Sequence, residues 1–279
     1  MVLPKKGNRE DECEDAYCVF PEIGLPGTRH VGPVVASISD GASESMLAGV
    51  WAHKVAWHTA ENAHGDPATL AGPNSSYADL IAQLKGRWST WIADYVRQRS
   101  ADGRPLQWYE EVKLTSGAYA TLLAIRLDLP DTICAEEPRV GTPWLWRAAA
   151  LGDSCLFQVR GERILTYFPV KSSTDFGVNP DLLGSRNHNI SLICQRTHFI
   201  SGGFERGDDF FLMTDALAAW FVSVIESKVA GELLTALRQL RYFGRYGDKD
   251  SFQTWVSDLV AEGSLRNDDI TLIHLSIQR

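Results

Sequence analysis

A buried strand that ends in an aspartate-glycine pair is the feature that most limits the fold of this 279-residue chain. The largely apolar run 34–38 leads to Asp40-Gly41, and a small, polar segment that can start a helix follows. Such a strand holds the carboxylate at the edge of a sheet, and the glycine lets the backbone turn so that its carbonyl oxygen faces the same point. This arrangement suits a hard cation with oxygen ligands. A single pair of this kind is most often only a turn.

Three further aspartates stand at a predicted strand end or in a tight turn. Asp15 opens a strand-like run, Asp215 follows a buried run, and Asp268 precedes the last run of the chain. Crowding these carboxylates together without a cation is costly, because like charges repel strongly in a partly buried site. A site that holds two cations through oxygen ligands is therefore expected if the strands align. The pattern leaves alternatives open: a helix N-cap at Asp215, and solvated carboxylates at Asp15 and Asp268.

The composition limits the class of protein. Hydrophobic residues make up 44% of the chain and charged residues 22%, as in ordinary globular proteins. The net charge of −8 argues against a surface that binds nucleic acid or anionic membranes. The five cysteines form no CxxC pair, which indicates reduced thiols. The chain has neither an apolar run long enough to span a bilayer nor a signal peptide. We therefore expect a soluble, cytoplasmic protein.

The spacing of apolar residues predicts five helices. In each stretch apolar side chains recur every three and four positions, which describes one buried face. The second helix carries an aromatic stripe, which we interpret as a core face, and residues 74–76 precede it as capping candidates. The predicted helical stretches are 43–64, 77–96, 217–225, 229–240 and 252–260.

Apolar or alternating runs predict the strands. The first two, joined by the Pro/Gly turn at 21–27, are expected to pair antiparallel, and the chain is expected to become rich in strands after residue 105. Residues 128–142 are predicted as a surface loop and 168–198 as a long excursion beside a site. We expect one layered α+β domain over 1–279. The predicted strands are 16–20, 34–39, 116–127, 145–151, 155–159, 210–214 and 270–277.

Six short motifs follow one another along residues 14–273, essentially the whole chain. They are Glu14-Asp15-Ala16, Asp40-Gly41, Ser116-Gly117-Ala118, Leu151-Gly152-Asp153-Ser154, the sequence FFLMTD at 210–215, and Asp268-Asp269-Ile270-Thr271. In content and in order they resemble the motifs of the metal-dependent protein phosphatase family, also called protein phosphatase 2C, in its bacterial branch.

The resemblance implies a four-layer α/β/β/α sandwich, in which helices flank two central antiparallel sheets and a metal site lies at one end. It implies two Mn²⁺ or Mg²⁺ ions, with Asp40 bridging them and Gly41 contributing its carbonyl oxygen. Asp215 and Asp268 would bind one ion directly, and Glu14-Asp15 would hold waters on the other side. The implied chemistry is attack of an activated water on a phosphate monoester.

Several positions depart from the family pattern. Ala219 replaces an aspartate that helps to bind a third ion, which leaves Asp153 as the lone candidate ligand for that ion. Ala216 replaces a glycine, and Ala42 stands where some members have a histidine that protonates the leaving group. The family's phosphate-binding arginine is displaced by one position, to Arg9, which is the predicted substitute.

The leading functional prediction is a serine/threonine phosphoprotein phosphatase, with a phosphorylated protein as substrate and a cognate kinase as partner. The alanines at 42, 216 and 219 favour one alternative, a catalytically weakened member that acts as a phosphoprotein-binding or regulatory module. A metal-dependent phosphohydrolase that acts on small molecules is the other alternative. The sequence contains no phosphate-binding GxxxxGK[ST] loop, which argues against ATP hydrolysis of that type.

Overall fold

The computed structural model describes residues 1–21, 30, 32–128, 144–177, 179–187 and 189–278. The predicted turn at 21–27 and the predicted loop at 128–142 lie outside these ranges except for the first residue of each. Twelve strands occur in the described ranges. They are β1 (Val2–Leu3), β2 (Ala16–Phe20), β3 (Val34–Ser39), β4 (Tyr119–Ala120), β5 (Leu122–Leu127), β6 (Trp144–Leu151), β7 (Cys155–Arg160), β8 (Arg163–Phe168), β9 (Leu183–Gly184), β10 (His198–Phe204), β11 (Asp208–Met213) and β12 (Ile270–Ser276).

The strands form two five-stranded sheets, and every pairing is antiparallel. The first sheet has the order β10-β6-β5-β3-β2, and the second has the order β1-β12-β11-β7-β8. Strands β4 and β9 make a small separate pair. The predicted pairing of the first two acid-flanked strands is confirmed by the register of β2 with β3.

Helices cover the outer face of each sheet. Helices α1 and α2 pack on the first sheet, and α5, α6 and α7 pack on the second. None of the helices in the described ranges is long and apolar enough to cross a membrane. The helices are α1 (Ala48–Gly65), α2 (Ser75–Ala101), α3 (Trp108–Ser116), α4 (Ile190–Arg196), α5 (Asp215–Ser227), α6 (Ala230–Arg245) and α7 (Lys249–Ala261).

The two sheets pack face to face through a third apolar cluster. In β11 the side chains of Phe210 and Leu212 point into this cluster, whereas Phe211 and Met213 point to the helices. Because successive side chains of a strand face opposite sides, a strand buried on both faces is apolar at every position. The predicted four-layer α/β/β/α sandwich is therefore confirmed. That 1–279 forms a single domain stays a prediction.

The structure differs from the predicted elements in several places. The predicted strand at 116–127 is wrong at its start, because α3 ends at Ser116, and the rest is divided between β4 and β5, which begins at Leu122. Gly117 turns the chain there at φ +85°. Strands β8 and β10 were not predicted. The excursion at 168–198 is not wholly irregular, since it contains β9 and α4.

Candidate active site

Five aspartates from separate parts of the chain lie within electrostatic reach of one another. Asp40 follows β3, and the charges of Asp15, Asp215, Asp153 and Asp268 all act on it. Burial is the largest cause that raises the pKa of Asp40, and these four like charges raise it further. The structure thus brings together the aspartates that the sequence singled out at strand ends and tight turns.

Asp15 is buried and shared between the two sheets. Its Oδ2 atom accepts hydrogen bonds from the hydroxyls of Thr214 and Thr271, each at 2.9 Å. Its Oδ1 atom is buried and has no hydrogen-bond partner among the described residues. Burial raises the pKa of Asp15 to about 8, against the two threonine hydrogen bonds that lower it. A buried carboxylate oxygen without a donor is costly, so this atom is suited to a ligand that carries positive charge.

Thr121, which immediately precedes β5, fixes the backbone of Asp40. The Asp40 amide donates to the Thr121 hydroxyl at 2.9 Å, and the Thr121 amide donates to the Asp40 carbonyl at 2.8 Å. At Gly41 an added Cβ atom would lie 2.8 Å from the Glu14 carbonyl oxygen and 2.9 Å from the Ala48 carbonyl carbon. Only glycine fits this position without a shift of the backbone.

Asp215 is the first residue of α5, and Thr214 occupies the N-cap position without a side-chain cap. The Asp215 Oδ1 atom accepts a hydrogen bond from the Ala216 amide at 2.5 Å. Its Oδ2 atom is paired with the guanidinium of Arg266. Burial raises the pKa of Asp215 to about 6, while the positive charge of Arg266 opposes this rise.

Arg266 is the residue that sequence reasoning missed. Its Nη2 atom also lies 3.0 Å from Asp268 Oδ2, so that one guanidinium joins two of the predicted metal ligands. The only sequence signal was a basic residue at the start of an otherwise acidic turn, two positions before Asp268. Such a residue is by default solvated, and only the fold places it against Asp215.

Asp153 lies in the turn between β6 and β7. Its side chain is buried, with 5% of its surface exposed, and its Oδ2 atom accepts a long hydrogen bond of 3.4 Å from the Gly177 amide. Burial raises its pKa, and the charge of Asp268 adds to that effect. Asp153 is therefore part of the acidic cluster, although its role as a ligand for a third ion stays a prediction.

Glu14 and Arg9 lie on the N-terminal segment and differ in their surroundings. The Glu14 carboxylate accepts a hydrogen bond from the hydroxyl of Ser43 and lines a groove of about 600 Å³. The Arg9 side chain is 74% exposed and lies 3.1 Å from Asp11 and 3.7 Å from Glu12. Its predicted contact with phosphate stays a prediction.

The donor chemistry of the cluster fits a divalent cation. No three His, Cys, Asp or Glu side chains of the described ranges stand in a ready coordination set. The cluster nevertheless consists of oxygen donors, three of its five aspartates are buried, and its like charges raise one another's pKa values. The bare Oδ1 atom of Asp15 and the tightly packed Gly41 add to this fit. Mg²⁺ and Mn²⁺ are the cations that prefer such oxygen ligands.

Comparisons with known proteins agree with this fold. No family profile matches the chain, and no curated protein matches it. Among solved structures, the chain is similar to the photosystem II phosphatase PBCP, with a TM-score of 0.51 and 14% identity over 100% of this chain and 97% of that one. It is also similar to a bacterial serine phosphatase, with a TM-score of 0.51 and 12% identity over 100% of this chain and 96% of that one. The predicted resemblance to metal-dependent protein phosphatases is thus confirmed at the level of the fold.

Proposed function

We propose that this chain is a phosphoprotein phosphatase that hydrolyses serine and threonine phosphate esters with Mn²⁺ or Mg²⁺. One observation carries the proposal: four aspartates from four other segments act on the partly buried carboxylate of Asp40. Without a cation these charges oppose one another and their own burial. With divalent ions bound, the same carboxylates become ligands.

Six residues have a role in this proposal. Asp40, Asp215 and Asp268 would bind the ions directly, together with the carbonyl oxygen of Gly41. The first motif, Glu14-Asp15, would bind on the other side through water. When bound, the two ions supply a water of lowered pKa and positive charge opposite the phosphate oxygens.

The chain's own hydrogen bonds hold these groups in place before any ion binds. Two threonine hydroxyls occupy the Oδ2 atom of Asp15, which leaves Oδ1 as its open acceptor. Two hydrogen bonds between Asp40 and Thr121 fix the backbone that carries the Asp40 carboxylate. Groups that are positioned in advance need less reorganisation during the reaction.

The groove beside Glu14 supports a protein substrate. It has a volume of about 600 Å³ and runs between the N-terminal segment and helix α1, with Trp91 of α2 in its wall. Asp11, Glu12 and Glu14 line this groove together with Lys54, so its lining carries more negative than positive charge and favours basic residues near the phosphorylated side chain. The proposed partners are thus a phosphorylated protein and the kinase that modifies it.

A second candidate function is a phosphoprotein-binding or regulatory module without turnover. The observation that favours it is the ion pair between Arg266 and Asp215, because it engages a predicted ligand with a protein cation. The alanines at 42, 216 and 219, where the family has catalytic or structural residues, point in the same direction.

The test is phosphate release from a phosphoserine peptide by the purified chain in Mn²⁺, in Mg²⁺ and in chelator. We expect activity only with an ion, and a fall in kcat/KM on the order of 100-fold or more in Asp40→Asn. The exposed helical residue Asp79 provides the matched control, Asp79→Asn, with unchanged activity. Activity in chelator or in Asp40→Asn contradicts the proposal.

Two further outcomes separate the alternatives. Tight binding of the phosphopeptide with no phosphate release in any ion supports the regulatory module. Faster turnover of nucleotides or sugar phosphates than of phosphopeptides supports a small-molecule phosphohydrolase. Both results are read in the same assay with a panel of substrates.

A further inference from the structure

Arg266 places a protein cation inside the acidic cluster. Its Nη2 atom bonds to Asp215 Oδ2 and lies 3.0 Å from Asp268 Oδ2. A guanidinium matches carboxylate geometry and stays charged at every pH at which the protein folds. The two acceptors are residues that the proposed function assigns to an ion.

The turn at Gly177 shapes the other side of this guanidinium. A Cβ atom at Gly177 would lie 3.2 Å from Arg266 Nη1, and Gly177 has φ +76°. The amide of the same glycine donates to Asp153 Oδ2. The guanidinium therefore lies against the turn that holds Asp153, and the charges of both residues act on each other.

Three carboxylates thus share one resident positive charge. The carboxylates of Asp153, Asp215 and Asp268 all interact with the guanidinium of Arg266, whereas Asp15 is held by hydrogen bonds from Thr214 and Thr271. A divalent ion that approached Asp153 would meet the guanidinium at short range, where like charges repel strongly. It would also have to compete for the Asp215 oxygen that accepts a hydrogen bond from Arg266 and for the Asp268 oxygen that forms an ion pair with it.

We infer that Arg266 takes the place of a divalent ion on the Asp153 side of the cluster and so limits how many ions the chain binds. This inference rests on the proposed function, because it concerns ions at the same site. Arg266 acts here as a positioning residue, since it holds Asp215 and Asp268. Its side chain is 51% exposed, so its replacement leaves the packed core intact.

The experiment compares Mn²⁺ binding to the wild-type chain, Arg266→Gln and Arg266→Lys by isothermal titration calorimetry. We expect Arg266→Gln to bind an additional ion or to tighten the weakest site roughly tenfold or more, because the competing charge is gone. Arg266→Lys keeps the charge and should stay close to wild type. The matched control is Arg97→Gln, which removes an exposed arginine paired with Asp94 on α2 and should change nothing.

Thermal unfolding gives a second readout that does not depend on activity. In chelator Arg266→Gln should unfold at a lower temperature than wild type, because Asp215 and Asp268 lose their counter-ion. In Mn²⁺ it should gain more stability than wild type does. A purely structural arginine would lower the unfolding temperature equally in both conditions, which would overturn the inference.

The outcomes separate this inference from the proposed function. Equal number and affinity of ions in wild type and Arg266→Gln, with ion-dependent turnover intact, overturns the inference alone. Absence of Mn²⁺ binding in all variants contradicts both. Equal Mn²⁺ binding combined with weaker binding of inorganic phosphate in Arg266→Gln would make Arg266 a phosphate ligand instead, and it too overturns the inference.

Discussion

Thr214 donates its hydroxyl hydrogen to the Asp15 carboxylate at 2.9 Å, across 199 positions of the chain. Thr214 follows β11 of the second sheet, and Asp15 precedes β2 of the first. Thr271 of β12 donates to the same oxygen and also donates its amide to the Thr214 hydroxyl at 2.8 Å. The two sheets are therefore tied together at the end of the sandwich where the acidic cluster lies.

Replacing Thr214 by valine removes this hydroxyl while keeping the shape of the side chain. We expect Thr214→Val to lose about 1 to 3 kcal/mol of unfolding free energy, because Asp15 loses a donor and the Thr271 amide loses its acceptor. The pKa of Asp15 should rise further, since that hydrogen bond lowers it. Mn²⁺ affinity near pH 7 should fall because the ion must displace a proton.

Urea unfolding and Mn²⁺ titration check this prediction, with Thr214→Ser as the control that keeps the hydroxyl. The loss of affinity should shrink when the titration is repeated above the raised pKa of Asp15. Wild-type stability and Mn²⁺ affinity in Thr214→Val would show that the hydrogen bond contributes nothing.

Gly41 offers a second test, because backbone atoms surround it. In Gly41→Ala the new Cβ atom would lie 2.8 Å from the Glu14 carbonyl oxygen, so the segments around it must move apart. We expect a loss of about 1 to 3 kcal/mol in stability. Ion-dependent phosphatase activity should fall as well, because the carbonyl of residue 41 and the carboxylate of Asp40 shift together.

The control is Gly86→Ala, since Gly86 is exposed within α2 and no atom lies within 4 Å of its added Cβ. It should raise stability by about 0.5 to 1 kcal/mol through helix propensity, with activity unchanged. Urea unfolding and phosphate release, measured on Gly41→Ala and on Gly86→Ala, test these expectations. If Gly41→Ala and Gly86→Ala were equally stable, the backbone around residue 41 would accommodate the added Cβ atom without loss of stability, which would contradict the prediction.

Asp209 predicts a pH dependence away from the candidate site. Burial opposes its ionisation, but hydrogen bonds from His274 and Arg241, both at 2.8 Å, outweigh burial and lower its pKa to about 2. In the unfolded chain the pKa of an aspartate is about 3.9, so ionised Asp209 stabilises the folded chain above that pH. This contribution disappears as the pH falls from about 4 to 2.

We therefore expect Asp209→Asn to cost about 2 to 3 kcal/mol at neutral pH, and less as the pH falls towards 3. Urea unfolding at pH 7, 5, 4 and 3 measures the difference, and Asp79→Asn, an exposed helical position, should show no such trend. A destabilisation that stays constant with pH would contradict the linkage.

The acidic cluster was predictable because its aspartates carry local signals. Asp40, Asp15 and Asp215 each adjoin an apolar strand, and a strand end is visible in the sequence as a change of periodicity. The strands that precede or follow these aspartates were predictable for the same reason. The role of Arg266 was not predictable, because its contact with Asp215 joins residues 51 positions apart in the chain and no local sequence pattern indicates it.

Two missed elements lack the usual signal. Helix α3 buries only Leu114, so it has no apolar stripe, and its exposed Trp108, Tyr109 and Val112 resemble a strand-forming run. Strand β10 contains Gly202, where an added Cβ would lie 2.8 Å from the ring of Trp146. Glycine is needed there for close packing on the neighbouring strand, but in a sequence a glycine favours the prediction of a loop.

Asp269 accepts backbone hydrogen bonds with both of its oxygens, from the Lys5 amide at 2.7 Å and the Glu14 amide at 2.8 Å. An asparagine side chain in this place would offer one acceptor and one donor group. Two converging N–H groups require two acceptors, which a carboxylate supplies. Asp269 thus connects the N-terminal segment to the turn before β12, and through the Glu14 amide it fixes the position of Glu14 relative to Asp268.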